Sequence, residues 1–235
     1  IGGIHLWWYG LSYAAGFLQI LLYLRRSRHR IGLTSHEVYA LSLCIAIGVL
    51  AGGRAVEVAF DEWPFYREHP LLIPGYWLGG MATHGLLIGA AAGAIFFTYV
   101  YRTPLLEIAD ELVIPGAFLM GIGRIGNFIN GELWGRVADP ANVPWAMIFP
   151  QAGDQLPRHP SQLYQFALEG LLLFAILWVY TRRPRPVGTA GSLFLIGYGV
   201  LRIVGEFFRE PEALYGAMPL GLSAGQWLSV PMVLI

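Results

Sequence analysis

The sequence contains no lysine, and all 15 of its basic residues are arginine. Charge is scarce altogether. Asp, Glu, Lys and Arg make up 13% of the chain, against about 25% in a soluble globular domain. That scarcity excludes disordered and nucleic-acid-binding classes and most soluble enzymes. The one cysteine, Cys44, excludes a disulfide framework and a cysteine-based metal site. It lies between Leu43 and Ile45 and reads as a small core residue. H-E-x-x-H, G-x-S-x-G and Walker A runs are missing. No His, Asp and Glu cluster has metal-ligand spacing. The four aspartates are scattered, which excludes the aspartate-rich helix of an alcohol phosphotransferase. Neither a metal nor a cofactor is expected.

Apolar sequence dominates instead, at 56% hydrophobic residues and a mean hydropathy of +0.55. Apolar runs of about 20 residues recur along the chain, the length that crosses a bilayer as a helix. Seven are marked, at 6–24, 37–60, 78–101, 108–129, 162–180, 189–208 and 221–235. The expected fold is all-α: a polytopic membrane protein of seven transmembrane helices, forming one integral-membrane domain over 1–235. The chain begins at Ile1 and ends inside the apolar run Trp227–Ile235, so both natural termini are expected to lie beyond it. The first run has no basic leader and no small-residue cleavage site. It is read as a span and not as a signal peptide.

Basic residues alternate between the connections. Arg25, Arg26, Arg28 and Arg30 follow the first span, Arg102 the third, and Arg182, Arg183 and Arg185 the fifth. The positive-inside rule assigns these to the cytoplasm. The N-terminus and the 130–161 segment are then extracytoplasmic, and the C-terminus cytoplasmic. Segment 130–161 carries Pro140, Pro144, Pro150, Pro157 and Pro160, with Trp145, Met147 and Phe149 among them. So many prolines break regular structure. The segment reads either as a lid or interfacial arm or as a plain surface loop. In the third span Gly85, Gly89 and Gly93 repeat at four, a stripe that lets helix backbones approach closely.

An ionisable residue at bilayer depth costs on the order of 2.5–3.5 kcal/mol, so each one is a functional candidate. The second span holds Arg54 and Glu57, three apart and on one face. The third holds His84, the only imidazole inside a span. The end of the fourth holds Arg124, Asn127, Asn130 and Glu132, the fifth Glu169, and the sixth Arg202 and Glu206. Tyr198, Arg202, Glu206 and Arg209 form one helical stripe. Two readings compete. Paired charges that fasten helices suit Arg54–Glu57 and Glu169. An anionic ligand held in the bundle suits the whole set, because a guanidinium fork matches phosphate. His84 is either a packing residue or a proton-transfer group.

The run Gly123-Arg-Ile-Gly-Asn-Phe-Ile-Asn-Gly-Glu-Leu-Trp-Gly135 resembles the signature of bacterial prolipoprotein diacylglyceryl transferases. Gly123, Arg124, Asn127, Phe128, Asn130, Glu132 and Gly135 carry the pattern. HLWWYGLSY at 5–13, GGR at 52–54, HG at 84–85, RHPSQLY at 158–164 and GYGVLRIVGEFFREP at 197–211 agree in order. The resemblance implies a seven-span enzyme of the bacterial inner membrane with an outward N-terminus. It implies transfer of the diacylglyceryl group of phosphatidylglycerol to the lipobox cysteine of a prolipoprotein, with release of glycerol phosphate. His84, Arg124 and Arg202 match the family's catalytic core. Tyr9, Asn127, Glu132, Gly135 and Glu206 fall at further family positions, and Arg54 and Asn130 join them as expected substrate-binding residues. Leu86, Glu57, Asp61 and Gln165 depart from the pattern, Gln165 standing where an acid is common. The expected partners are the lipid, the lipobox segment and the bilayer, with no nucleic acid. A lipid binder or transporter using the same arginines, and an inactive paralogue, are the alternatives.

The chemistry fits those residue types. A thiol near pKa 8.5 is mostly protonated at neutral pH, and the thiolate is the nucleophile. His84 is the natural base. Arg124 and Arg202 would neutralise the departing phosphate, with Asn127 and Glu132 orienting the arginines or the glycerol hydroxyls and Glu206 fixing Arg202.

Overall fold

The computed structural model describes residues 8–75, 82–210 and 221–234 and is mostly helical. The side chains of Trp8, Tyr9, Ser12, Asp61, Thr83, His84 and Ala224 lie outside that description. The helices are α1 (Trp8–Ser27), α2 (Ser35–Val56), α3 (Trp63–Glu68), α4 (Thr83–Tyr101), α5 (Leu105–Asn130), α6 (Ser161–Gln165), α7 (Leu173–Tyr180), α8 (Thr189–Glu206) and α9 (Ala224–Leu234). A π-helical stretch, Glu57–Asp61, extends α2, and another, Phe166–Leu172, joins α6 to α7. Within the described residues each of the seven apolar segments overlaps a helix. Among the described residues two stretches, Ser35–Phe60 and Ser161–Tyr180, are long and apolar enough to cross a membrane on length and composition alone.

The chain forms two compact units, one of residues 20–109 and one of 1–19 with 110–235. In the first, α2 starts on a capping box. Thr34 accepts from the Glu37 amide at 3.2 Å, and Glu37 accepts from the Thr34 amide at 2.7 Å. Glycines then bring α2 against α4. A Cβ on Gly48 or Gly52 would collide with the carbonyls of Gly89 or Gly85, and one on Gly93 with that of Cys44. The stripe read from the sequence is therefore a backbone-to-backbone contact, and the half-buried Cys44 lies at its end.

The buried Arg54 fastens the chain beyond α3 back onto α2. Its guanidinium donates to the carbonyls of Ile73 at 2.8 Å, Leu72 at 3.2 Å and Gly75 at 3.2 Å, and to the Tyr66 hydroxyl at 2.8 Å. It also lies over the Tyr66 ring, 4.8 Å from the centroid.

In the second unit α8 begins on Asp110, whose carboxylate accepts from the amides of Gly188 at 2.6 Å and Gly191 at 2.7 Å. A carboxylate at a helix N-terminus meets unpaired amides and the positive end of the dipole. The proline-rich segment contains more regular structure than its composition suggests. Met147–Ile148 (β1) pairs antiparallel with Pro157–Arg158 (β2). Isolated bridges join Val137 to Arg158 and Gly135 to Arg209. The prolines stand beside these short ladders or at the strand's first residue, where a missing amide hydrogen is tolerated. The buried Arg158 ties the segment together, donating to the Gly135 carbonyl at 3.1 Å and to Glu210 at 3.1 Å, and pairing with Asp154.

Candidate active site

The second unit gathers Arg124, Glu169, Arg202, Glu206 and Arg209 into one chain of ion pairs. Arg124 comes from the last turns of α5, Glu169 from the π-helical stretch, and Arg202 and Glu206 from α8. Glu169 is fully buried. Its Oε2 accepts from Arg124 Nη2 at 3.3 Å and its Oε1 from Arg202 Nη1 at 3.4 Å. Arg202 Nη2 donates to Glu206 Oε1 at 2.6 Å, and Arg209 Nη1 reaches the same oxygen at 3.2 Å. The other oxygen of Glu206 accepts from the Ser223 hydroxyl at 2.7 Å. The phenol of Tyr198 stands among Glu169, Arg202 and Arg124.

The contrast in distance separates two kinds of contact. Arg202–Glu206 is a short charge-assisted bond between residues four apart on one helix. The two bonds to Glu169, at 3.3 and 3.4 Å, are longer than the usual range for such pairs. A guanidinium has five N–H donors, so Arg124 and Arg202, brought together by long bonds to Glu169, have donors to offer a ligand. π-helical turns recur at functional sites, and here one carries the bridging acid.

The signature after α5 folds back on itself. The Glu132 amide donates to the Asn127 carbonyl at 2.9 Å. The Asn127 and Asn130 side chains both donate to the Glu132 carboxylate, at 3.3 and 3.4 Å. Both amides thus orient Glu132. The Gln162 amide donates to the Glu132 carbonyl at 2.5 Å, and Ser161 to the Leu133 carbonyl at 2.9 Å. Gly135 allows the next crossing: its amide donates to the His159 carbonyl at 3.0 Å, and a Cβ there would stand 2.6 Å from the Phe208 carbonyl oxygen.

Arg54 and His84 belong to the other unit. Arg54 spends its donors on backbone carbonyls and Tyr66, as a fastening residue does. His84 is the second residue of α4, beside Gly85, which packs against Gly52. The side chains of His84 and Tyr9 lie outside the described residues. Glu169 was legible only as a lone acid in a span, and its two partners come from different helices. Ser223 carries no sequence signal.

The family model described as prolipoprotein diacylglyceryl transferase matches residues 1–235. The chain belongs to the prolipoprotein diacylglyceryl transferase family. Curated relatives named phosphatidylglycerol–prolipoprotein diacylglyceryl transferase agree with it along nearly their whole length. That of Methylibium petroleiphilum is 47% identical over 99% of this chain and 90% of its own. The Paracidovorax citrulli protein is 46% identical over 99% and 89%, and that of Nitrosomonas europaea 47% over 99% and 84%. Prolipoprotein diacylglyceryl transferases are bacterial membrane enzymes.

Proposed function

We propose that this chain moves the diacylglyceryl group of phosphatidylglycerol onto the sulfur of a prolipoprotein lipobox cysteine, the first step of lipoprotein maturation. The observation that carries the mechanism is the bridging of Arg124 and Arg202 by one buried carboxylate. Two guanidiniums from separate helices converge where a phosphate could take their donors.

In this reading the lipid phosphate sits between Arg124 and Arg202. The cysteine thiol gives its proton to a base, and the thiolate attacks the glyceryl carbon that carries the phosphate ester. A carbon–sulfur bond forms as the carbon–oxygen bond breaks. The electron pair leaves with glycerol phosphate, whose developing charge the two arginines neutralise in a low-dielectric site. No covalent enzyme intermediate is needed. His84 is the proposed base. Imidazole near pKa 6.5 works near neutrality, whereas an unperturbed carboxylate near 4 is too weak a base for a thiol near 8.5. Glu206 keeps Arg202 aimed, and Asn127, Asn130 and Glu132 shape the neighbouring turn, with Gly135 letting the arm cross behind it. Tyr9 and Arg54 complete the proposed substrate-binding set, Arg54 through the segment it fastens.

The proposed setting is the bacterial inner membrane, with seven spans in one integral-membrane domain. The N-terminus and the 130–161 arm are extracytoplasmic and the C-terminus cytoplasmic. The arginine alternation supports this orientation.

The test is reconstitution of the purified chain with phosphatidylglycerol and a lipobox peptide, read by mass spectrometry. The expected products are the diacylglyceryl thioether of the peptide and free glycerol phosphate. Binding of phosphatidylglycerol without either product would make the chain a lipid binder and contradict the proposal.

A further inference from the structure

Glu169 has a second potential partner on its own helical stretch. Gln165 ends α6 four residues earlier and is fully buried, and neither its amide oxygen nor its amide nitrogen has a hydrogen-bond partner. Such groups are rare in folded proteins, because water would have satisfied them in the unfolded chain. Gln165 faces the ion-pair cluster. From the point where a Cβ on Gly205 would stand, Gln165 Cγ is 3.2 Å away, Glu169 Oε1 3.6 Å and Gln165 Nε2 3.9 Å. The missing side chain of Gly205 leaves room for amide and carboxylate side by side, one turn after Arg202.

A phosphate that draws the Arg124 and Arg202 heads toward itself pulls them off Glu169, whose bonds to them are already long at 3.3 and 3.4 Å. A carboxylate with no exposed surface then loses the two partners that offset its desolvation, which is strongly unfavourable. A neutral donor without a partner of its own stands on the same stretch, the amide of Gln165. We propose that Gln165 is the reserve partner of Glu169, its Nε2–H donating to the carboxylate once the lipid phosphate has engaged the two arginines. Gln165 is then a positioning residue that never touches lipid. A neutral donor suits that place, since an ionised acid there would repel Glu169. The inference rests on the phosphate-clamp reading of Arg124 and Arg202.

The test uses the full chain in phosphatidylcholine nanodiscs with phosphatidylglycerol titrated in. Gln165→Leu removes two unpaired buried polar atoms, so the Tm without phosphatidylglycerol should stay level or rise. The KM for phosphatidylglycerol should rise roughly tenfold, the worth of one charge-assisted hydrogen bond, with kcat changed less than about twofold. In a Glu169→Gln background the same change should move phosphatidylglycerol affinity less than about twofold, because no buried charge then needs a donor. A lower Tm would make Gln165 a structural residue and overturn the proposal, as would a native KM. An undiminished penalty in the Glu169→Gln background would mean that the amide meets the lipid itself, which also overturns it. Arg124→Ala and Arg202→Ala separate this failure from that of the clamp. If they keep native affinity, the clamp reading fails. If they lose it while Gln165→Leu does not, only the role of Gln165 fails.

Discussion

Arg202 and Glu206 face each other across one turn of α8, Nη2 to Oε1 at 2.6 Å, and Glu206 spends its second oxygen on Ser223. The acid is therefore tied to its own helix and to the start of α9, and Arg202 is aimed by both. Nothing in this geometry requires Glu206 to move a proton. Glu206→Gln should keep activity within about tenfold, because an amide oxygen still accepts from Arg202 and the Ser223 hydroxyl can turn to accept from the amide. Glu206→Ala should lose at least about tenfold more, leaving two guanidiniums without that partner. Steady-state transfer by both variants checks this. If Glu206→Gln is as inactive as Arg202→Ala, Glu206 has a chemical role.

The α2–α4 contact is made of backbone. Gly89→Ala places a methyl on the Gly48 carbonyl. Overpacking of this kind costs about 1–3 kcal/mol when neighbours can shift, and two helix backbones shift poorly. The variant should unfold at a clearly lower temperature than the native chain. Gly10→Ala, where a Cβ meets nothing within 4 Å, serves as the control. Equal Tm values for both would show that α2 and α4 are farther apart than described.

Asp154 and Arg158 give the arm a pH dependence. The hydrogen bond from Arg158, helped by the Leu156 amide, holds the Asp154 carboxyl below its ordinary value near 3.8. A depressed folded-state value means that the contribution is present above the unfolded pKa. It is lost as pH falls through the lower folded value. Amide protection factors at 147–158 should thus be level from pH 7 down to about 4 and fall below it. Asp154 is exposed although Arg158 is buried, so the effect should be small and weaken further in salt. Asp154→Asn should remove the pH dependence, and an unchanged profile in that variant would assign it elsewhere.

For His84, the expected effect of Asn substitution is a fall of about 10²–10⁴-fold in transfer with little change in phosphatidylglycerol binding. Part of the lost rate should return as pH rises toward the thiol pKa, because the substrate then ionises unaided. A deficit equal at every pH, or a loss of lipid binding, would make His84 a binding or structural residue.

The parts legible in the sequence are those written in local spacing. The glycine repeat at 85, 89 and 93 announced a close helix contact, and the spacing of Arg202 and Glu206 announced their pair. The arm's strands were not legible, since two-residue strands show no alternation and prolines mask the rest. The Glu169 bridge was hidden for another reason. It joins residues 45 and 33 positions apart, and such separations follow from helix packing and not from any local pattern. Arg54 shows the same limit. Its neighbour Glu57 was visible in the sequence, whereas the carbonyls of residues 72, 73 and 75 became partners only through the fold.

The most direct test of the phosphate clamp is the kcat/KM of Arg124→Lys for phosphatidylglycerol. It requires a preparation that inserts and unfolds like the native chain. Lysine keeps the positive charge and removes the planar fork, so only bidentate recognition is lost. The account predicts a fall of about 10²–10³-fold, the usual cost of losing a preorganised donor to transition-state charge. Near-native turnover by Arg124→Lys would contradict it.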